Sequence, residues 1–168
     1  MADASYITWK KNNDLSFDKG FSVREGLVQN AAKKGFSAII DEYVYIYPEN
    51  IERTFRLLQL AWESFKGKGV DLGGGVGCIS ATIALKEEVE SIYCVEFAED
   101  VVKLCQPVVK EAILKEKKDK VISVVGDFDN LELSDHSLDF AVDWDSLHHS
   151  YDPAKTLQER RRVLKPGG

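Results

Sequence analysis

The stretch Val70-Asp71-Leu72-Gly73-Gly74-Gly75-Val76-Gly77-Cys78-Ile79-Ser80 (VDLGGGVGCIS) begins as a short apolar strand. It passes through a run of glycines and resumes an apolar, helix-compatible pattern. Glycine at a strand-to-helix junction costs backbone entropy. A junction this rich in glycine therefore calls for bare backbone, and a ligand lying on the turn is the usual reason.

The pattern on either side extends that reading. Downstream, Val76–Leu85 has helical spacing, Ser91–Glu96 (SIYCVE) alternates as a strand, and Val101, Cys105, Val108, Ala112 and Ile113 give one helix with a single apolar face. Val121–Val125 (VISVV) and Leu138–Val142 (LDFAV) follow as strands. Asp152-Pro153 then caps a last helix, on which Leu157 and Leu164 are expected to share the buried side. Upstream, the first 20 residues are polar and aperiodic. Ser22-Val23-Arg24-Glu25 reads as a capping box for a helix carrying Leu27, Val28, Ala31 and Ala32, with Gly35 as its stop. Tyr43, Tyr45 and Tyr47 alternate as in a strand or an aromatic loop. Ile51, Phe55, Leu58, Trp62 and Phe65 mark an amphipathic helix from about Asn50, ended by Gly67-Lys68-Gly69.

Strands separated by helices of this length imply a parallel sheet with right-handed crossovers and helices on both faces. Ligands of such sheets bind outside the carboxyl ends of the strands. Polar residues gather there: Asp71 and the glycines, Glu96-Phe97, Gly126-Asp127-Phe128, and Asp143-Trp144-Asp145 followed by His148-His149. Glu96 stands close to the ~20 residues beyond the glycine turn at which an acid grips a ribose diol. Phe97 could cover a purine face and Asp127 could accept from an exocyclic amine, which together suggest an adenosine site.

The dinucleotide pattern GxGxxG would need glycine at position 78, where this chain has Cys78. Asp71, Asp127, Asp143 and Asp145 rim the expected crevice, with no Lys or Arg in the glycine turn. A pyrophosphate there would meet like charge, at roughly 1–4 kcal/mol per close pair. A cationic adenosine compound is favoured instead.

In order and spacing, DLGGGVG, the acid of CVEF, GDF, DFAVDWDSLHH and RVLKPGG resemble a class I S-adenosylmethionine-dependent methyltransferase of the broad small-molecule group. The similarity covers roughly residues 68–168. It implies a Rossmann-like doubly wound sheet, strand order 3-2-1-4 in the part present, behind an N-terminal helical extension. It divides the chain into a helical or lid segment, 1–65, and a cofactor-binding domain, 66–168. It places Asp71, Gly73 and Gly75 at the methionine moiety, with Gly77 also cofactor-binding, Glu96 on the ribose, Phe97, Asp127 and Phe128 around the adenine, and Asp143 and Trp144 near the methionine end and the methyl group. His148 and His149 would face a small-molecule acceptor as candidate bases.

Two alternatives stand beside this reading. One is a non-catalytic module that binds cofactor or associates through a sheet edge, and the other is a nicotinamide-dependent oxidoreductase. The chain ends at Lys165-Pro166-Gly167-Gly168, where the family leads into a fifth strand. The expectation is therefore a truncated sheet with an open edge on its fourth strand, at which a second copy could pair.

Bulk properties narrow the classes. The 168 residues suit one domain, and a net charge of −6 argues against a nucleic-acid backbone as partner. The basic runs at Lys115–Lys118 and Arg160–Arg162 are local and read as solvated helix faces. No apolar run approaches the ~20 residues that span a bilayer, and no signal peptide is evident. Cys78, Cys94 and Cys105 are widely spaced, show no metal-ligand pattern and read as buried thiols of a cytoplasmic protein.

Overall fold

The computed structural model describes residues 6–11, 21–42, 48–58 and 61–168. Along the chain run β1 (Ile7–Thr8), α1 (Phe21–Lys34), α2 (Phe36–Glu42), α3 (Pro48–Leu57), α4 (Ala61–Ser64), β2 (Gly67–Leu72), α5 (Cys78–Ala84) and β3 (Val89–Glu96). They continue as α6 (Glu99–Leu104), α7 (Gln106–Ile113), β4 (Val121–Val125), β5 (Phe140–Asp143) and α8 (Pro153–Val163), with short 3-10 turns at Lys115–Lys120 and Leu147–His149.

All strand pairs are parallel, in the order β1-β4-β3-β2-β5. The expected order 3-2-1-4 is present as β4-β3-β2-β5. The correction is a fifth strand at the far edge, built from the N-terminal segment that sequence alone left aperiodic. Ile7 and Thr8 pair with Val124 and Val125, and the Trp9 N–H donates to the Val125 carbonyl at 2.9 Å. Two residues are too few to show a period; Trp9, 4 % exposed, anchors the segment instead.

Strand periodicity sends alternate residues to opposite faces. Ile92, Cys94, Val121, Phe140 and Val142 join one core with α1, α3, α4 and α5. Val70, Leu72, Val95 and Val124 join a second with Trp9, Phe128 and Val163 of α8. The first core is continuous from Leu27 in α1 to Leu114, so the N-terminal helices and the sheet bury one shared surface. Phe55, Phe65 and Phe140 are its aromatic spine, with ring centroids 5.0 and 5.1 Å apart.

Several local expectations change. The helix read from Asn50 through Phe65 is found as α3 and α4; Ile51, Phe55, Trp62 and Phe65 are buried but Leu58 is exposed. Gly67-Lys68-Gly69 does not merely end a helix but opens β2. Ser22 and Glu25 are the second and fifth residues of α1, so Ser22 lies within its first turn and not just ahead of it. Gly35 does stop α1, with φ 68° and its N–H donating to the Ala31 carbonyl. Tyr43, Tyr45 and Tyr47 lie outside the described residues.

The helix expected over Val101–Ile113 divides at Cys105, because Pro107 cannot supply the N–H that a continuous helix needs. On α8 the Asp152 cap accepts from the Ala154 and Lys155 N–H groups at 3.1 Å. Its buried residues are Thr156 and Val163, whereas Leu157 is exposed. After α8 the chain lies parallel to the lead-in of β5, Leu164 bridging to Leu138.

Gly69 is a steric requirement of this sheet. A Cβ there would lie 2.1 Å from Phe140 Cζ. Gly69→Ala is expected to displace the Phe140 ring and cost about 1–3 kcal/mol by overpacking. A lowered urea midpoint measures it, and an unchanged midpoint would refute this packing.

Candidate cofactor site

At the carboxyl end of β2 the chain turns through Gly73, Gly75 and Gly77, with φ of 72°, 52° and 93°. Side chains rarely adopt such backbone. The Gly74 N–H donates to the Val95 carbonyl at 2.9 Å, and the Gly77 N–H to the Gly74 carbonyl at 2.8 Å. The turn is thereby tied to the tip of β3, and α5 starts directly after it. Space around the glycines differs. A Cβ on Gly74 would strike Cys94 Sγ at 2.4 Å, so that glycine serves packing. A Cβ on Gly75 would meet nothing nearer than the Gly73 carbonyl oxygen, 4.0 Å away. Gly75 is where bare backbone faces open space.

That space is a crevice of about 90 Å³ walled by Gly73, Gly75, Glu96, Phe97 and Phe128, and on its other side by Asp145, Ser146 and His149. Five residues singled out from sequence for the cofactor thus meet at one place, together with one of the two histidines. The remainder stand behind or beside the wall.

Asp71 is 1 % exposed and accepts from Ser80 Oγ at 2.7 Å. Burial pushes its carboxyl up to about 7, against the Ser80 hydrogen bond and with help from the negative charges of Asp143 and Glu96. Glu96, itself buried, accepts the Ala98 N–H at 2.8 Å just ahead of α6. Asp127 is buried and accepts from the Asp129 N–H at 3.3 Å. Lys11 crosses from the N-terminal segment to donate to the Phe97 carbonyl at 2.6 Å, its Nζ 4.2 Å from the ring centroid.

Asp143 organises the opposite wall. Its Oδ1 accepts from Ser146 Oγ at 2.9 Å and from the N–H groups of Ser146 and Leu147 at 3.3 and 3.2 Å. Its Oδ2 is buried without a hydrogen-bond partner. The single O–H of Ser146 is shared between Asp143 Oδ1 and the Leu72 carbonyl, which ties this wall to the end of β2. Trp144 turns away to pack edge-on against Phe55, ring centroids 5.1 Å apart. His148 is exposed and pairs with Asp145 at 3.6 Å, its ring 3.9 Å from that of His149. Burial pushes the Cys78 thiol up to about 12 and the Cys94 thiol well above its usual range, so neither is a ready nucleophile.

Sequence reasoning missed Ser146 and Gln106. Ser146 follows Asp143 by three residues, the spacing of a local Asp turn, which was a usable signal. Gln106 is fully buried, and its Nε2 donates to the Gly75 carbonyl at 2.9 Å. Nothing local in sequence marks a glutamine before a proline as a partner of a turn some thirty residues earlier.

A central parallel strand running into a glycine turn, with acids at neighbouring strand tips, defines a Rossmann-like α/β protein with its crevice at the carboxyl edge. Residues 70–168 match the family described as Methyltransferase domain. The chain belongs to that family, and membership implies S-adenosyl-L-methionine as the cofactor. No curated protein matches the chain.

Among solved structures, it resembles a provisionally assigned S-adenosyl-L-methionine-dependent methyltransferase from Methanococcus maripaludis. That likeness has 22% identity and a TM-score of 0.64, covering 95% of this chain and 65% of that one. It also resembles a provisionally assigned sarcosine dimethylglycine methyltransferase from Galdieria sulphuraria, with 29% identity, a TM-score of 0.59 and coverage of 68% and 43%. A SAM-dependent methyltransferase from Aquifex aeolicus matches at 19% identity and a TM-score of 0.55, covering 92% and 69%. The chain thus spans 65% and 43% of the length of the first two.

Proposed function

We propose that this chain binds S-adenosyl-L-methionine in the crevice beside Gly75 and serves methyl transfer to a small-molecule acceptor. The observation that carries the reading is the charge of the site. Asp71 and Glu96 are buried, Asp143 has an unmatched buried oxygen, and the glycine turn beside them contains no cation. Such a set suits a ligand bearing an ammonium and a sulfonium and repels a pyrophosphate. The family match over residues 70–168 supports it. A small acceptor is supported by the 29% likeness to the Galdieria protein.

In this reading Glu96 accepts from the ribose hydroxyls. Phe97 and Phe128 flank the adenine, and Asp127 accepts from its amine. The backbone at Gly73, Gly75 and Gly77 lies along the amino-acid portion, where Asp71 and Asp143 supply negative charge. Trp144 backs the methyl end through its packing on Phe55. When bound, the cofactor supplies a methyl group already activated on positively charged sulfur. The chain's own task is then to orient the acceptor in line and exclude water.

His149, on the crevice wall, is the better-placed base for an acceptor that must lose a proton; His148 lies further out. The crevice is smaller than the roughly 300–1,000 Å³ of ordinary ligand pockets. Residues 66–168 are assigned to the cofactor and the segment before residue 66, apart from Lys11 on Phe97, to the acceptor side. Among the described residues no helix is long and apolar enough to cross a membrane. We place the protein in the cytoplasm on the strength of its three buried free thiols.

One observation favours a second reading, association through a sheet edge. Beyond the Leu138–Leu164 bridge, β5 is the last strand in the sheet among the described residues. A paired edge in a second copy would leave cofactor binding intact but make the protein dimeric, which light scattering reads. For the first reading, S-adenosylhomocysteine at millimolar concentration is expected to raise Tm by several degrees through linkage, while NAD(H) leaves it unchanged. No shift with S-adenosylhomocysteine, or a shift with NAD(H) instead, would overturn it.

A further inference from the structure

We infer that Gln106 is a positioning residue for the glycine turn: its amide fastens the Gly75 carbonyl and so sets the backbone that faces the crevice. This role rests on the proposed cofactor reading for its ligand but not for its geometry. Gln106 begins α7, immediately ahead of Pro107 and at the break from α6. Its side chain is fully buried there, at 0 % exposure. There Nε2 donates to the Gly75 carbonyl at 2.9 Å, and Cγ lies 3.5 Å from where a Gly77 Cβ would stand. Gln106 therefore packs against one glycine of the turn and holds another.

Stability alone does not account for a glutamine here. Its Oε1 is buried with no hydrogen-bond partner, and an unmatched buried amide oxygen costs stability. Leucine or methionine would fill the same space in a largely apolar core without that cost. What neither can do is donate to a carbonyl. The need for a donor is plain from the turn. Gly73, Gly75 and Gly77 all sit at positive φ, and glycine backbone is free to leave such conformations. Gly74 and Gly77 are tied by their N–H groups. The Gly75 carbonyl receives its tie from Gln106. The peptide is trans, so pinning that carbonyl toward α7 puts the Val76 N–H on the opposite side, away from α7. Gln106 thus chooses which face of the Gly75–Val76 peptide a ligand meets.

Gln106→Met keeps the volume and removes the donor, and Gln106→Glu supplies a buried carboxyl that stays protonated near pH 6 and donates again. Hydrogen exchange on the unliganded protein and calorimetry with S-adenosylhomocysteine provide the two readouts. For Gln106→Met, amides of residues 74–77 are expected to exchange about tenfold faster while β2, β3 and β4 keep their protection. Affinity is expected to fall about tenfold, and Gln106→Glu to recover it at pH 6 relative to unaltered protein at the same pH.

Unchanged exchange at the turn would overturn the inference. So would a uniform loss of protection across the sheet, which a merely structural residue gives, or a loosened turn with unaltered affinity. If the unaltered protein itself fails to bind S-adenosylhomocysteine, the cofactor reading falls, and the exchange measurement still decides whether Gln106 holds the turn.

Discussion

Replacing Asp71 by asparagine is expected to flatten the pH dependence of stability and to weaken cofactor binding at the same time. In the folded chain the Asp71 carboxyl titrates near 7, raised above its ordinary 3.8 chiefly by burial. Between those values the native state holds a proton that the unfolded chain has released, so stability falls as pH rises from about 4 to about 7 and levels off above. From pH 5 to pH 8 the unaltered protein should lose roughly 3 kcal/mol through this one group. Asp71→Asn keeps an acceptor for Ser80 Oγ and cannot ionise, so that share of the slope disappears. Urea unfolding at the two pH values measures it, and equal slopes would show that Asp71 is not held protonated.

Binding runs the other way. A cationic ligand favours the ionised carboxylate, so affinity should rise with pH toward 7 and complex formation below 7 should release a proton. Calorimetry in two buffers of different ionisation enthalpy detects that proton. Asp71→Asn should abolish the release and weaken binding about 10–100-fold at pH 8. A variant that still releases the proton would place the titrating group elsewhere.

Glu96→Ala is expected to weaken S-adenosylhomocysteine by about 10–100-fold, the loss of hydrogen bonds to a charged acceptor worth roughly 1.5–3 kcal/mol. It also strips the Ala98 N–H of its partner at 2.8 Å, so a stability loss of about 1–3 kcal/mol accompanies it. Glu96→Gln separates the two, because its amide oxygen can still accept from Ala98 while the negative charge is gone. That variant should keep most of the stability and lose most of the affinity. Should Glu96→Gln bind as tightly as the unaltered protein, the ribose assignment is wrong, whatever happens to Tm.

The two acids differ in why they matter. Glu96 lies on the crevice wall and Asp71 lies behind the glycine turn. Contact is therefore the reasoning for Glu96, and field is the reasoning for Asp71. Charge acts through a turn where a hydrogen bond cannot, and a low-dielectric surrounding strengthens it.

The sequence by itself determined the parallel sheet and the edge at which polar residues collect, and its resemblance to a family implied the order β4-β3-β2-β5. Strand and helix periods and the glycine run are local signals, and each buried strand carries its own apolar run. It also determined which of the strand-tip residues to watch, of which Gly73, Gly75, Glu96, Phe97, Phe128 and His149 share the crevice. Only the tertiary structure decided the rest. Ile7–Thr8 is a strand because β4 offers an unpaired edge, not because two residues have a pattern. Trp144 packs inward because Phe55, far away in sequence, lies beneath it. Gln106 reaches Gly75 because the fold sets the start of α7 beside the glycine turn. Hydrogen bonds and contacts across long separations leave no period in the chain, and so they become visible only once the folded backbone has brought their partners together.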